Sequence, residues 1–268
     1  MPDGHLKAKR KHLISLLQQF DSLMIAFSGG VDSTFLLAIS HEVLNDKLIA
    51  ITATSPLHPE WEKNEAIEFA KRLGVKHLVV PSREMSRQDF RNNPTDRCYI
   101  CKKLLFEDFW AIAKDNGIKH IAHGATVDDL DDFRPGFIAA TEWGIKAPLI
   151  DADLTKDDIR LLSREMNLKT WDKPSMACLA TRIPYGKPIT KQNVQIIANA
   201  EKVLLDLGFT SCRVRLHDTM ARIEIDIEEL GKMLEPKTRH VIIKKLQKIG
   251  FSYVTVDLEG YRQGSMNR

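Results

Sequence analysis

The residues with the clearest capacity for chemistry form the short stretch 28-SGGVDS-33, which follows an apolar run. Two adjacent glycines allow a tight turn with inward-pointing amides, and Ser28 and Ser33 add hydroxyl donors. Asp32 lies where a helix is predicted to begin, and a helix N-terminus carries partial positive charge. The stretch therefore predicts a binding loop for phosphate or pyrophosphate, with a plain strand-to-helix turn as the alternative.

This loop contains no lysine, so it does not fit the G-x-x-x-x-G-K-[ST] loop that moves a terminal phosphoryl group. It resembles the PP-loop pattern SGGxDS of the N-type ATP pyrophosphatases. The resemblance implies that ATP is split between its α- and β-phosphates, that AMP passes to a carboxyl or carbonyl oxygen, and that the loop holds pyrophosphate. It also implies Mg²⁺, to which Asp32 would contribute. We expect Thr52, Ala53 and Ser55 to face the adenosine, because the end of the second strand borders the nucleotide crevice in this fold. The fixed positions of the pattern are Ser28, Gly29, Gly30, Asp32 and Ser33.

The four cysteines are a second set of reactive residues. Cys98 and Cys101 are three positions apart, so on a helical turn their sulfurs project from nearly the same face. Such a pair can be buried, redox-active, half of a zinc site, or part of an iron–sulfur site; the surrounding pattern is not that of a thioredoxin. A four-thiolate zinc site would also need Cys178 and Cys212.

The contexts of Cys178 and Cys212 differ. Cys178 lies in the irregular stretch 172–190, which holds three prolines and a glycine, whereas Cys212 begins a predicted strand. We therefore expect three exposed cysteines and one packed one. Three thiolates can bind a [4Fe–4S] cluster and leave one iron free for an external ligand such as sulfide.

The first part of the chain alternates short apolar runs with longer amphipathic segments, which predicts a doubly wound parallel sheet of the α/β class. The predicted strands are Leu23–Phe27, Leu48–Thr54, His77–Val80, Ile118–His123 and Ala147–Ile150. The predicted helices are Ser33–Leu44, Glu60–Leu73, Cys101–Asn116, Leu130–Trp143 and Thr155–Met166.

The second part follows a different order, α-β-β-α-β, which predicts a small C-terminal α+β domain. We expect a PP-loop domain over 1–171, an active-site connector over 172–190, and a substrate-binding and oligomerisation domain over 191–268. The predicted elements of the last domain are Lys191–Leu207, Cys212–His217, Ala221–Ile227, Lys237–Ile249 and Tyr253–Leu258.

Three longer segments restrict the resemblance to one family within the N-type ATP pyrophosphatases. They are 123-HGATVDDLDDFRPG-136, 175-SMACLATRIPYGKPIT-190 and 212-CRVRLHDTMARIEI-225. With the phosphate loop and 258-LEGYRQGSMN-267, they resemble the LarE family of ATP-dependent sulfurtransferases over nearly the whole chain. That family makes the nickel-pincer nucleotide cofactor from pyridinium-3,5-biscarboxylic acid mononucleotide.

The resemblance implies adenylylation of a substrate carboxylate, followed by conversion to a thiocarboxylate. Two sulfur sources are known in the family: a single cysteine at the position of Cys178, which is sacrificed, or a cluster on three cysteines with an iron-bound sulfide. Because Cys98 and Cys101 accompany Cys178, this sequence resembles the cluster variant. The resemblance also implies a homo-oligomer; the origin of the sulfide cannot be derived from the sequence.

An anionic substrate needs cations, which we expect from four arginines, Arg182, Arg222, Arg213 and Arg215. The last two alternate along a predicted strand and share a face, which suits a phosphate; a solvated basic strand edge is the alternative. Asp128 and Arg134 follow a predicted strand's carboxyl end, where doubly wound folds bind ligands. The resemblance also implies that Glu201 and Glu224 lie near the substrate or a metal site.

The composition excludes several classes. The formal net charge of +3 is too small to favour a nucleic-acid partner, and no segment approaches the length of a membrane helix or signal peptide, so we expect a cytoplasmic protein. Two rival functions stay open: an iron–sulfur tRNA thiolase with a PP-loop, and a non-catalytic metal carrier that retains the ATP fold.

Overall fold

The computed structural model describes residues 2–130, 135–174 and 177–262. These ranges contain the following elements in chain order: α1 (Pro2–Leu17), β1 (Leu23–Ala26), α2 (Val31–Leu44), β2 (Leu48–Thr54), α3 (Glu60–Leu73), β3 (Lys76–Pro81), α4 (Gln88–Arg91), α5 (Arg97–Asp115), β4 (His120–His123), α6 (Pro135–Glu142), α7 (Pro148–Asp151), α8 (Lys156–Glu165), α9 (Lys191–Asp206), β5 (Cys212–His217), β6 (Met220–Ile225), α10 (Leu230–Leu234), α11 (Pro236–Ile249) and β7 (Tyr253–Val256). None of the helices in these ranges has the length and apolar character needed to cross a bilayer.

The chain divides into two compact units. The first comprises Met1–Arg87 and Asp96–Ser175, and the second comprises Gln88–Thr95 and Met176–Arg268. The later boundary falls inside the stretch 172–190. The short segment 88–95 belongs to the second unit, although the first unit surrounds it in sequence.

The first unit is built on a parallel sheet with strand order β3-β2-β1-β4. Side chains of β1 alternate between its faces: Leu23 and Ile25 pack with Phe35 of α2, whereas Met24 packs with Phe106 of α5. Both faces of the sheet are therefore covered by helices, which explains the continuous apolar runs of the strands. The predicted doubly wound α/β fold is confirmed.

One predicted strand is wrong. The stretch Ala147–Ile150 does not pair as a strand, because α7 begins at Pro148 and only Lys146 bridges to Ala122 of β4. Proline has a fixed φ and no amide hydrogen, which suits the first turn of a helix and not a central strand. The four-residue apolar run was too short to separate the two possibilities.

The second unit combines helices with a three-stranded sheet of order β5-β6-β7, antiparallel between β5 and β6 and parallel between β6 and β7. Its segment 88–95 is tied in through Asn93, which is fully buried. The Asn93 amide donates to the carbonyls of Ile183 and Pro184, at 3.2 and 2.8 Å, and the Asn93 carbonyl accepts from the Gly186 amide. The predicted small α+β region is confirmed.

Candidate functional site

The loop between β1 and α2 is held by its own serine hydroxyls. Ser28 Oγ and Ser33 Oγ lie 3.0 Å apart, and Ser33 Oγ donates to the Gly30 carbonyl at 3.3 Å. Gly29 has a φ of +74°, which favours glycine, and its Cα faces Ala66 of α3. Gly30 is the N-cap of α2 and offers no capping side chain, so the first amides of this helix are available to an anion.

The end of β4 approaches this loop closely. Because β1 and β4 are neighbours but not consecutive in sequence, their carboxyl ends form the edge where doubly wound sheets bind ligands. A Cβ at Gly124 would lie 2.9 Å from the Ser33 amide nitrogen and 3.1 Å from the Asp32 carbonyl carbon. Any residue other than glycine at position 124 would therefore require the backbone at Asp32 and Ser33 to move.

The PP-loop resemblance implies that this loop takes part in releasing pyrophosphate from ATP. We predict that Gly124→Ala moves the start of α2 and lowers that release about a hundredfold, the scale expected for a displacement near 1 Å. Overpacking should also cost about 1–3 kcal/mol of unfolding free energy. Gly231→Ala is the matched control, because a Cβ at Gly231 meets no atom within 4 Å. Equal pyrophosphate release by the two variants would contradict the prediction.

Asp32 lies in the first turn of α2 with its carboxylate turned inward. Burial, and then the nearby Asp129, raise the pKa of Asp32 to about 6, while Lys156 and Arg160 act in the opposite direction. Its Oδ1 atom is buried and has no hydrogen-bond partner among the described residues. A carboxylate in this state is suited to binding a cation.

The turn after β4 carries two further carboxylates. Asp129 accepts from the Thr126 amide at 3.0 Å and pairs with Lys156 Nζ at 3.1 Å. Asp128 accepts from the Lys156 amide at the start of α8 at 2.8 Å. These contacts fix the turn beside the phosphate loop. Arg134, the other predicted residue of this region, lies outside the described residues.

The predicted adenosine contacts at the end of β2 already have partners within the first unit. Thr52 Oγ1 donates to the Phe27 carbonyl at 2.6 Å and lies 2.8 Å from His77 Nε2. Ser55 Oγ donates to the carboxylate of Glu84, which is 1% exposed. Both side chains therefore set the shape of this strand end, and their contact with a nucleotide stays a prediction.

Cys98 and Cys101 both lie in the first turns of α5, which begins four residues earlier than predicted. Cys98 is exposed and Cys101 is half-buried. The start of α6 packs on this turn, since a Cβ at Gly136 would lie 3.7 Å from the Cys98 carbonyl oxygen and 3.2 Å from Lys102 Cγ. The two thiols are thus presented on one rigid helical turn.

In the second unit, Arg182 organises the short helical turn that bears Cys178. Arg182 is fully buried and donates to the Ala177 and Cys178 carbonyls at 2.7 and 3.2 Å. It also pairs with both carboxylate oxygens of Glu201, at 2.8 and 3.1 Å. Burial alone would lower the pKa of Arg182, but Glu201 outweighs it and the net shift is upward. Cys178 itself is half-buried.

Arg213 and Arg215 lie on β5, as predicted, but they are buried, 4% and 5% exposed, so the alternative of a solvated strand edge is wrong. Arg215 pairs with Glu224 at 2.7 Å, and Glu224 also accepts from Arg222 at 2.9 Å. The Arg213 guanidinium lies over the Tyr261 ring, 4.8 Å from its centroid.

With Arg182, these three residues form what we call the arginine cluster: Arg182, Arg213, Arg215 and Arg222. Members of the cluster pair with three carboxylates, those of Glu201, Glu224 and Asp257. Burial, and then Arg182, lower the pKa of Arg213, which is the effect expected where cations are crowded away from water. Guanidinium groups in such a setting can bind an anionic ligand through charge-assisted hydrogen bonds.

Cys212 differs from the other cysteines, as predicted. It is 2% exposed, and its Sγ donates to the Glu201 carbonyl at 3.8 Å. Burial, and then Glu201, raise its pKa to about 12. The thiol is therefore protonated at neutral pH, and metal ligation requires the thiolate. The prediction of three exposed cysteines holds fully only for Cys98, since Cys101 and Cys178 are half-buried.

Comparison with known proteins places the chain in a family. The model of the NAD synthase family matches residues 11–98. The chain is 38% identical over 264 residues to an uncharacterized protein of Synechocystis sp., covering 98% of each, and 31% identical over 240 residues to one of Methanocaldococcus jannaschii, covering 90% of each. It is 36% identical over 263 residues to the pyridinium-3,5-bisthiocarboxylic acid mononucleotide synthase of Lactiplantibacillus plantarum, covering 98% of this chain and 95% of that protein. The chain belongs to the LarE family.

LarE proteins are PP-loop enzymes, and membership implies the use of ATP with Mg²⁺. The unpartnered Oδ1 of Asp32 fits such an ion, because Mg²⁺ is commonly held by one or two carboxylates together with substrate phosphates. Among the described residues, no group of three or more His, Cys, Asp or Glu is placed to hold a metal ion by itself.

Sequence reasoning missed three residues near this LarE phosphate loop. Glu84 accepts a hydrogen bond from Ser55 after β2, Lys173 donates to the Gly29 carbonyl of the loop, and His123 is the last residue of β4. Burial, and then Lys102, lower the pKa of His123 to about 4, so the imidazole is neutral at pH 7. The position of His123 at the carboxyl end of a predicted strand could have indicated a site residue. No sequence pattern indicates the contact of Lys173 with Gly29, because 144 positions separate the two residues.

Proposed function

We propose that this LarE-family protein uses ATP to activate a carboxylate of pyridinium-3,5-biscarboxylic acid mononucleotide and then replaces the activated oxygen with sulfur. The product is the thiocarboxylate used in synthesis of the nickel-pincer nucleotide cofactor. The observation that carries the proposal is the lysine-free loop 28–33, whose hydroxyls and helix N-terminus suit a pyrophosphate leaving group. The substrate class follows the named synthase of L. plantarum, which the chain matches over 98% of its length.

In the activation step, a carboxylate oxygen of the substrate attacks the α-phosphorus of ATP. The bond from that phosphorus to the bridging oxygen breaks, and pyrophosphate leaves with the electron pair. A carboxylate resists attack by sulfur because oxide is a poor leaving group, whereas AMP leaves readily. We assign Ser28, Gly30 and Ser33 to the pyrophosphate and charged Asp32 to Mg²⁺.

In the second step, sulfur bonds to the acyl carbon and AMP leaves with the carbon–oxygen electron pair. We assign Cys98, Cys101 and Cys178 as the residues that would hold a [4Fe–4S] cluster; when bound, it would supply an iron open to an external sulfide. Two observations support this choice of ligands: Cys98 and Cys101 share one helical turn, and Cys212 is held as a thiol. Arg182 fixes the backbone of Cys178 through its carbonyl.

The arginine cluster is our proposed site for the anionic groups of the substrate. Arg213 and Arg215 share one face of β5 and are desolvated, which strengthens their attraction to a phosphate or carboxylate. Arg182 and Glu201 form two hydrogen bonds with each other, so we assign this pair to fixing the shape of the cluster. Asp128 and Arg134 stay proposed substrate neighbours.

Cysteine substitution tests the cluster directly. After anaerobic reconstitution with iron and sulfide, Cys98→Ala, Cys101→Ala and Cys178→Ala are each expected to lose most bound iron and the visible absorption of the cluster, because a three-thiolate site loses a ligand. Cys212→Ala is the control and should keep both. Wild-type iron content in Cys98→Ala or Cys178→Ala would refute the assignment. A Cys178 lighter by one H₂S after turnover would instead indicate the sacrificial route.

Pyrophosphate release distinguishes the remaining functions. The proposal requires release with the pyridinium dicarboxylate nucleotide and none above background with unmodified tRNA. A tRNA thiolase gives the reverse, and a metal carrier releases pyrophosphate with neither. We also propose that the protein is a cytoplasmic homo-oligomer, which light scattering and cell fractionation can examine.

A further inference from the structure

Lys173 places a cation against the backbone of the phosphate loop. Its Nζ donates to the Gly29 carbonyl at 3.1 Å and to Glu65 Oε2 at 2.7 Å. The Lys173 side chain is only 19% exposed, whereas that of Glu65 is 59% exposed. The contact with the loop is therefore the more protected of the two.

The geometry of the peptide bond gives this contact a consequence for the loop. The carbonyl of Gly29 and the amide of Gly30 belong to one planar trans unit, so they point in opposite directions. A cation on the Gly29 carbonyl therefore turns the Gly30 amide to the other side of the loop. On that side the Gly30 amide donates to Ser28 Oγ at 3.4 Å, and Ser28 Oγ lies 3.0 Å from Ser33 Oγ. The anion donors of the loop are thus grouped opposite Lys173.

Arg160 of α8 holds the segment that carries Lys173. Its Nη1 and Nη2 donate to the carbonyls of Trp171 and Lys173, at 2.7 and 3.0 Å. The two bonds come from one planar guanidinium, so they fix the direction of the backbone as well as its distance. The N-terminus of α8 is fixed by a capping box, in which Thr155 and Asp158 exchange side-chain to backbone hydrogen bonds.

We propose that Lys173 is a positioning residue for pyrophosphate, which holds the Gly29 carbonyl so that the Gly30 amide faces the anion, and that Arg160 sets the place of Lys173. This inference rests on the proposed function, because it takes pyrophosphate as the ligand of the loop. The simpler interpretation is a surface ion pair between Lys173 and Glu65, and such pairs contribute little.

The test measures binding of pyrophosphate with Mg²⁺, and separately of AMP, to the full-length protein by calorimetry. We expect Lys173→Met to weaken pyrophosphate binding about tenfold or more, the scale of a lost charge-assisted hydrogen bond, and to leave AMP binding within about twofold. Glu65→Gln removes the ion pair but not the loop contact, so its pyrophosphate affinity should stay within about twofold of wild type.

Arg160→Lys keeps the charge but cannot bridge both carbonyls, and we expect a smaller loss of pyrophosphate affinity in the same direction. It also gives a second measurement if Lys173→Met does not fold. Equal pyrophosphate affinities of Lys173→Met and Glu65→Gln, parallel loss of AMP binding, or an unaffected Arg160→Lys would overturn the inference. Failure of the wild-type protein to bind pyrophosphate or ATP would instead refute the proposed function.

Discussion

The Asp32→Asn variant is expected to unfold at a higher temperature than the wild-type protein when no ligand is bound, and to lose most ATP-dependent activity. Burial, and then Asp129, raise the pKa of Asp32 to about 6 from 3.8. Above pH 6 the folded protein therefore holds a charged carboxylate that the unfolded chain solvates better. The penalty fades as the pH falls from 6 toward 3.8, because the folded state takes up the proton first. This difference between the folded and unfolded pKa values of Asp32 corresponds to at most about 3 kcal/mol of unfolding free energy at pH 7.

Thermal unfolding near neutral pH and near pH 4, with and without ATP and Mg²⁺, measures this effect. Asp157→Asn is the matched control, since Asp157 is also in the first turn of a helix but is exposed. A stabilisation as large near pH 4 as near neutral pH would contradict the electrostatic cause. Equal stabilisation of the variant and the wild type by ATP and Mg²⁺ would contradict the assignment of Asp32 to the ion.

The Arg182→Met variant is expected to lose about 3–5 kcal/mol of unfolding free energy, because it leaves the Glu201 carboxylate buried without its cation. It also removes the donor to the carbonyls of Ala177 and Cys178. We therefore expect loss of the proposed iron–sulfur cluster together with loss of stability. Urea unfolding and iron content after reconstitution measure the two effects.

Two comparisons isolate the charge effect at Arg182. Lys202→Met, next to Glu201 in sequence, removes an exposed cation and should change the unfolding free energy by less than about 1 kcal/mol. The double variant Arg182→Met/Glu201→Met should regain part of the lost stability, since no buried charge is left alone. A single Arg182→Met variant as stable as Lys202→Met would contradict the prediction.

Much of the first unit could be predicted from the sequence because its signals are local. Apolar runs fixed four strands, and Gly74 and Gly117 follow helices with positive φ, as expected for the glycine after a helix end. The same local reasoning failed at Pro148, where the proline at the start of the apolar run was the stronger signal. Helix α1 was not predicted, since its residues 5–12 are dominated by charges.

The site was less predictable than the fold. The phosphate loop could be found because its whole geometry is encoded within six residues. The burial of Arg182 and Arg213 could not, because it depends on which strands and turns cover them. Pairs such as Arg182 with Glu201, or Lys173 with Gly29, join distant positions, and no periodicity or spacing reports them.

The membership of residues 88–95 in the second unit also sets an order of events during synthesis. Asn93 finds its partners at Ile183 and Pro184, and Ile183 is 90 positions further along the chain. At the usual rate of translation this corresponds to roughly 5–20 seconds during which the segment has emerged but its binding site has not been made. Segment 88–95 is therefore synthesised before the residues that it contacts, and a C-terminal piece starting at residue 176 would lack the Asn93 contacts.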